Sequence, residues 1–155
     1  MRLLKLWLRR LFHRSTRPDW DTYFLRIAAQ VATRGDCSRR QVGALVVSAR
    51  RIISTGYNGV APGEPGCLDQ PCERVRKGQE DPNSVCPGYS DCRATHAEAN
   101  ALLWAGRPRT VGATLYITEN PCSGCWKLIR SAGITKVVTP HQEIVLQRRF
   151  RRVRR

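Results

Sequence analysis

The stretch THAEANALLWAGRPRTVGATLYITENPCSGCWKLIRSAGITKVV, residues 95–138, decides the fold. Its hydrophobic pattern predicts a helix over 95–105, a strand over 113–118, a helix over 122–132 and a strand over 135–138. Strands that alternate with helices in this way are typical of an α/β sheet with helices on its faces. We therefore expect an α/β fold whose helix starts lie near strand ends, where such folds place their sites.

Two fragments of this stretch carry metal-binding chemistry. His96 comes two residues before Glu98, and Cys122 comes three residues before Cys125 at the start of the second helix. One imidazole and two thiolates give zinc three protein ligands and leave the fourth tetrahedral position open, as in catalytic sites. Pro121 suits the first turn of a helix, whose positive end favours thiolates. Glu98 adds a carboxylate that can carry protons beside the metal.

Other chemistry is compatible with part of this pattern. A C-x-x-C pair with a distant histidine also occurs in structural zinc sites and in redox pairs. A redox pair would leave His96 and Glu98 without a role, and a structural site would need a fourth ligand from the five other cysteines. We favour the catalytic interpretation because it accounts for both fragments.

The rest of the body predicts further elements on either side of this stretch. They are a helix that begins at Pro18-Asp19 and ends before Gly35, strands over 41–47 and 52–57 around a turn at Ala49-Arg50-Arg51, and a final helix from near His141. At 155 residues the chain is long enough for one domain, which we place at 18–146.

The net charge of +15 is concentrated in two tails. Residues 1–17 and residues 147–155 each carry six Lys and Arg residues and no acid, which accounts for twelve of the fifteen net charges. The N-terminal tail also has apolar residues at helical spacing and predicts a basic amphipathic extension. Both tails suit contacts with nucleic acid, a membrane surface or neighbouring subunits, and the first also suits a transit peptide.

The location of the protein follows from what the chain lacks. No apolar run approaches the length of a membrane span, and charges interrupt the N-terminal apolar run, unlike a secretory signal. We expect a cytoplasmic protein. The nearly balanced charge of the body is typical of an enzyme that acts on small molecules.

An irregular insert at about 60–94 is rich in proline and cysteine. Its cysteines are Cys67, Cys72, Cys86 and Cys92, and Cys37 precedes the first strand. Together they supply enough thiols for a second, structural tetrahedral zinc, which we assign to Cys37, Cys67 and two of the other three. Disulfides are the rival explanation, although an odd cysteine total and an intracellular setting argue against a complete set.

Four motifs occur in the order seen in deoxycytidylate deaminases. They are Gln41-Val42-Gly43-Ala44, Gly56-Tyr57-Asn58-Gly59, Thr95-His96-Ala97-Glu98-Ala99-Asn100-Ala101, and Thr114-Leu115-Tyr116 leading into Pro121-Cys122. Over about residues 18–141 the chain resembles the deoxycytidylate (dCMP) deaminase family of the cytidine and deoxycytidylate deaminase superfamily. The resemblance implies a cytidine-deaminase-like three-layer α-β-α sandwich with a central mixed sheet of about five strands.

The resemblance also implies a reaction, which is zinc-dependent hydrolytic deamination of dCMP to dUMP and ammonia, supplying dUMP for thymidylate synthesis. It implies zinc on His96, Cys122 and Cys125, with Glu98 protonating N3 of cytosine and later the departing amine. The residues that it implies for substrate binding are Asn58, Ala97, Thr118 and Asn120.

Regulation by nucleotides is a further implication. In this family the Gly-Tyr-Asn-Gly segment is associated with an allosteric site, where dCTP with Mg²⁺ activates and dTTP inhibits across a hexamer. Gly56, Tyr57 and Gly59 are the candidates here, and a homo-oligomer, with a hexamer favoured, is expected. The two glycines by themselves equally suit a tight turn. Arg39 and Arg40 suit a phosphate, although adjacent arginines also occur on plain solvated surface.

Two competing functions remain open from the sequence. One is a cytosine deaminase acting on single-stranded nucleic acid held by the basic tails, although the body shows no interleaved aromatic and basic residues for base stacking. The other is a metal-stabilised binding module without activity. Glu98 argues against the module, because a binding protein has no use for a proton carrier beside an open zinc position.

Overall fold

The structure, a computed structural model, describes residues 17–72 and 92–146. The predicted N-terminal extension except Arg17, the Arg-rich tail and Cys86 lie outside these residues. No helix in the described ranges has the length and apolar character needed to cross a membrane.

The described residues form four helices and five strands. The helices are α1 (Trp20–Ala32), α2 (Ala97–Ala105), the short α3 (Arg107–Thr110) and α4 (Ser123–Ser131). The strands are β1 (Gly43–Ser48), β2 (Arg51–Tyr57), β3 (Thr114–Ile117), β4 (Lys136–Val138) and β5 (Glu143–Val145). They form one sheet in the order β2-β1-β3-β4-β5, in which β3 and β4 are parallel and the other neighbours antiparallel. The predicted mixed sheet of about five strands is confirmed.

Helices cover both faces of this sheet. On one face Phe24 and Ala28 of α1 form an apolar cluster with Leu45. On the other face α2 and α4 pack over a cluster that contains Val46 and Leu115. Leu45 and Val46 are neighbours in β1 yet belong to different clusters, because successive side chains of a strand point to opposite faces. The predicted α-β-α layering is confirmed.

The hairpin between β1 and β2 turns at Ala49 and Arg50. Both residues have positive φ angles, 48° and 60°. Two consecutive left-handed residues give the tight turn whose twist matches that of the flanking strands. The predicted hairpin is confirmed, although neither turn residue is the glycine or asparagine that usually signals such a turn.

The predicted final helix near His141 is wrong, because the chain there turns into strand β5. The hydroxyl oxygen of Thr139 accepts the backbone N–H groups of His141 and Gln142, which turns the chain back toward β4. Beyond the turn, the β-branched Ile144 pairs with Val137 of β4. Tertiary pairing at the sheet edge therefore decides the conformation of this segment.

Gly56 allows β2 to lie flush against α2. It stands within the strand, and a Cβ atom there would overlap the carbonyl oxygen of Ala97 and the amide nitrogen of Ala101. Both atoms belong to the backbone of α2, so they cannot move aside as a side chain would. Because α2 begins directly after His96, this close approach sets the position of the metal-binding fragment.

Gly56→Ala is expected to lower the free energy of unfolding by about 1–3 kcal/mol, since the added methyl group must push two elements apart. Chemical denaturation measures this loss. Gly59→Ala is the matched control, because a Cβ at Gly59 has its nearest neighbour at 3.4 Å, a far looser fit. Equal losses in the two variants would contradict the packing argument.

Candidate metal centre

The three predicted metal ligands meet in the structure. Nδ1 of His96 lies 3.6 Å from Sγ of Cys122 and 3.3 Å from Sγ of Cys125, and all three atoms lie within 4.8 Å of one another. In a tetrahedral zinc site with ordinary Zn–S and Zn–N bonds, sulfur and nitrogen are separated by about 3.6 Å. The described residues therefore fit zinc, with three protein ligands and one open position.

Two helix starts bring these ligands together. His96 is the N-cap residue of α2, and Cys122 is the N-cap residue of α4. Sγ of Cys122 accepts the backbone N–H of Cys125 at 3.4 Å, which orients both sulfurs within one turn of helix. The N–H groups and the dipole at a helix start favour the thiolate form. Burial and the neighbouring Glu98 act in the opposite direction and raise the pKa of the Cys125 thiol, so the positive charge of a metal would be needed to keep it deprotonated.

Glu98 lies in the first turn of α2 and is only 4% exposed. Burial raises the pKa of its carboxyl group, while a side-chain hydrogen bond with Cys125 acts in the opposite direction. Its hydrogen bond with Cys125 places the carboxyl group directly beside the metal ligands.

A cavity of about 320 Å³ opens beside these residues. Its described lining includes His96, Ala97, Glu98, Cys122, Arg39, Arg40, Asn58, Glu119, Asn120 and four cysteines, Cys37, Cys67, Cys72 and Cys92. The volume is at the lower end of the range for small-molecule sites. Predicted metal, substrate and phosphate residues thus share one cavity.

Asn58 lines this cavity and has a structural role that the sequence analysis missed. Its Oδ1 accepts the backbone N–H of Val42 at 2.8 Å, and its Nδ2 donates to the carbonyl oxygen of Arg40, also at 2.8 Å. The side chain therefore clamps the backbone on both sides of Gln41. Asn58 positions Arg40 at the cavity, whether or not it also contacts a ligand.

Glu119 is a cavity residue that the sequence analysis did not single out. Its Oε2 lies 3.6 Å from Nη1 of Arg40, and about half of each side chain is exposed. The signal for it was weak, because an acid three residues before Cys122 has no motif of its own. Only the pairing of β1 with β3 shows that it faces an arginine.

The other predicted site residues do not line the cavity among the described residues. The hydroxyl oxygen of Thr118 accepts the backbone N–H of Gly43 at 3.2 Å, and Thr118 lies outside the described cavity lining. Gly56, Tyr57 and Gly59 also lie outside that lining. Their substrate and regulatory roles stay predictions.

Cys37 lies close to three cysteines of the insert, Cys67, Cys72 and Cys92. Burial raises the pKa of the Cys67 thiol, and the nearby Cys37, Cys72 and Cys92 raise it further. Oδ2 of Asp36 accepts the backbone N–H of Cys67 at 3.2 Å, which ties the start of the insert beside Cys37. The described cysteines form no disulfide.

Comparisons with known proteins agree with this geometry. The family model of the cytidine and deoxycytidylate deaminase zinc-binding region matches residues 18–140. The chain is 48% identical over 134 residues to the deoxycytidylate deaminase of Mycobacterium phage D29, covering 82% of this chain and 98% of the phage protein. It is 40% identical over 123 residues to the deoxycytidylate deaminase of Saccharomyces cerevisiae, covering 79% of this chain but only 38% of the yeast protein.

A solved structure shows the same fold. The crystal structure of dCMP deaminase from the cyanophage S-TIM5, in complex with dCMP and dUMP, has a TM-score of 0.59 and 27% sequence identity, covering 80% of this chain and 82% of that one. The three metal ligands and Glu98 all fall inside the region matched by the family model. The chain therefore belongs to the cytidine and deoxycytidylate deaminase family.

Proposed function

We propose that this protein is a zinc-dependent dCMP deaminase, which converts dCMP and water to dUMP and ammonia. The observation that carries the proposal is the position of buried Glu98 beside the three-ligand group of His96, Cys122 and Cys125, with His96, Glu98 and Cys122 lining one cavity. The relatives named deoxycytidylate deaminase and the similar structure that holds dCMP and dUMP support this substrate.

The residues of the cavity have distinct parts in this reaction. Zinc held by His96, Cys122 and Cys125 would supply the Lewis acidity that makes water nucleophilic near neutral pH. Glu98 takes one proton from the attacking water and delivers it to N3 of cytosine as C4 becomes tetrahedral. It then takes the remaining proton of that water from the hydroxyl group on C4 and passes it to the amine, which leaves as ammonia when the C4–N bond breaks. Glu98 is therefore protonated once in each transfer and ends as a carboxylate.

Glu98→Gln is expected to lower kcat for dCMP by roughly a hundredfold or more, because an amide keeps the shape of the carboxyl group but cannot carry its proton. Ammonia release measures the turnover, and metal analysis should show unchanged zinc. Glu64→Gln, at an exposed acid paired with Arg93, is the matched control. Turnover by the Glu98 variant within a few-fold of the unaltered protein would contradict this mechanism.

We also propose that Arg39 and Arg40 bind the 5′-phosphate of the substrate. Both line the cavity, and the clamp by Asn58 holds the backbone of Arg40 in place. A planar guanidinium group matches phosphate oxygens in charge and geometry. This arrangement supports a nucleotide in preference to a nucleoside.

Arg40→Ala is expected to raise the Michaelis constant for dCMP by about tenfold, the loss of one charge-assisted hydrogen bond. The constant for deoxycytidine, which has no phosphate, should change far less. Arg107→Ala, at an exposed arginine of α3, serves as the control. Equal changes for dCMP and deoxycytidine would show that Arg40 does not read the phosphate.

A second, structural zinc is supported by the four neighbouring cysteines. Of the candidates, Cys37, Cys67, Cys72 and Cys92 line the same cavity, and the other three raise the pKa of the Cys67 thiol. Among the described residues, His96, Cys122 and Cys125 are the group whose ligand atoms already lie within 4.8 Å of one another, so the four sulfurs must move closer together to hold a metal. Four thiolates complete a closed tetrahedral site, which stabilises a fold without joining the chemistry. Such a metal would anchor the insert next to Arg39 and Arg40.

Metal analysis of the purified protein is expected to find two zinc ions per chain. Cys72→Ser should reduce this to about one and lower the melting temperature, since a closed zinc site contributes to folding. Cys86→Ser is the control, because the four described cysteines complete the site without it. One zinc ion per chain in the unaltered protein would refute the second site.

We propose further that the protein forms a homo-oligomer, with a hexamer favoured. Leu103 and Trp104 of α2 are each 74% exposed, and large exposed apolar side chains mark interaction surfaces. Regulation by dCTP with Mg²⁺ and by dTTP, and a cytoplasmic location, rest on the sequence alone. The alternative activity on single-stranded nucleic acid depends on tails outside the described residues.

A further inference from the structure

Glu119 faces the arginines that the proposed function assigns to the substrate phosphate. We propose that its carboxylate selects nucleoside monophosphates and disfavours nucleotides with longer phosphate chains. This inference rests on the proposed activity toward dCMP.

The position of Glu119 is held from both sides. The residue before it, Thr118, pairs with Gly43 of β1 through a backbone N–H···O bond of 3.1 Å and through its hydroxyl group. The residue after it, Asn120, accepts a hydrogen bond of 2.9 Å from Nε2 of Gln142. Glu119 therefore cannot leave the cavity wall without breaking these contacts.

The backbone of Arg40 is held beside the same pairing of β1 with β3. Its carbonyl oxygen is bound by Asn58, which also binds Val42, the residue before Gly43. The strand pairing that places Thr118 opposite Gly43 thus brings Arg40 and Glu119 to a separation of 3.6 Å. Backbone pairing thus places the two half-exposed side chains within reach of an ion pair.

The charges of this wall suit one phosphate better than several. Among the described lining residues, Arg39 and Arg40 carry positive charge, and Glu119 places a negative charge 3.6 Å from Arg40. A single phosphate group, with a charge of about −1.5 to −2, can draw Arg40 away from Glu119 and occupy both arginines. Additional phosphates would find no further arginine among the described lining residues and would lie close to the Glu119 carboxylate.

Arg40 and Glu119 lie where about half of each side chain is exposed to solvent. Water and salt screen charges there, so the discrimination is expected to be moderate and to weaken at high ionic strength.

The test compares kcat/KM for dCTP with kcat/KM for dCMP in the unaltered protein and in Glu119→Gln. The ratio of dCTP to dCMP is expected to rise by about three- to tenfold in the variant, because the repulsion of several phosphate charges is removed. If dCTP is bound but not deaminated, its inhibition constant against dCMP should fall by a similar factor, measured without Mg²⁺ so that the proposed activation by dCTP with Mg²⁺ does not interfere. In high salt the difference between the two proteins should shrink.

Two further variants separate charge from shape. Glu119→Asp keeps the negative charge and should keep the ratio near that of the unaltered protein. Glu64→Gln removes an exposed acid away from the cavity and should leave the ratio unchanged. A ratio that is the same in Glu119→Gln and in the unaltered protein would overturn the role of Glu119. An unaltered protein that deaminates no cytosine nucleotide would overturn the proposed function itself, and this inference with it.

Discussion

The metal centre depends on one spatial constraint, which is that an imidazole nitrogen must meet two sulfurs 26 and 29 residues away along the chain. Both helix starts that carry these ligands must therefore rest on the same face of the sheet at a set depth. Ala97, Ala101 and Ala105 make this possible for α2, since each is almost completely buried and none holds the helix away from the strands. Gly56 does the same from the side of the strand.

The antiparallel pairing of β1 with β3 has an equally direct effect on the cavity. It sets the end of one strand, with Thr118 and Glu119, against the start of the other, with Gly43 and Arg40. The position of these cavity-lining side chains thus follows from backbone register, and a shift of one residue would reverse it.

Much of the site could be predicted from the sequence because its residues come in short motifs with local geometry. The spacing of His96 and Glu98, and of Cys122 and Cys125, predicted ligands at two helix starts, and the structure brings the three ligands together. The alternation of helices and strands likewise predicted the layered sheet. The final helix was predicted wrongly, because pairing with β4 overrode a local preference at 143–145.

The sequence by itself therefore determined the two metal-binding fragments, with Glu98 beside His96, and most of the helices and strands, since each depends on residues within a few positions of one another. Only the tertiary structure decided that Asn58 clamps Arg40, that Glu119 faces that arginine, and that four cysteines share the cavity with the metal centre. These contacts join segments far apart in the chain. Their geometry is set by strand register and helix packing, which no local pattern encodes.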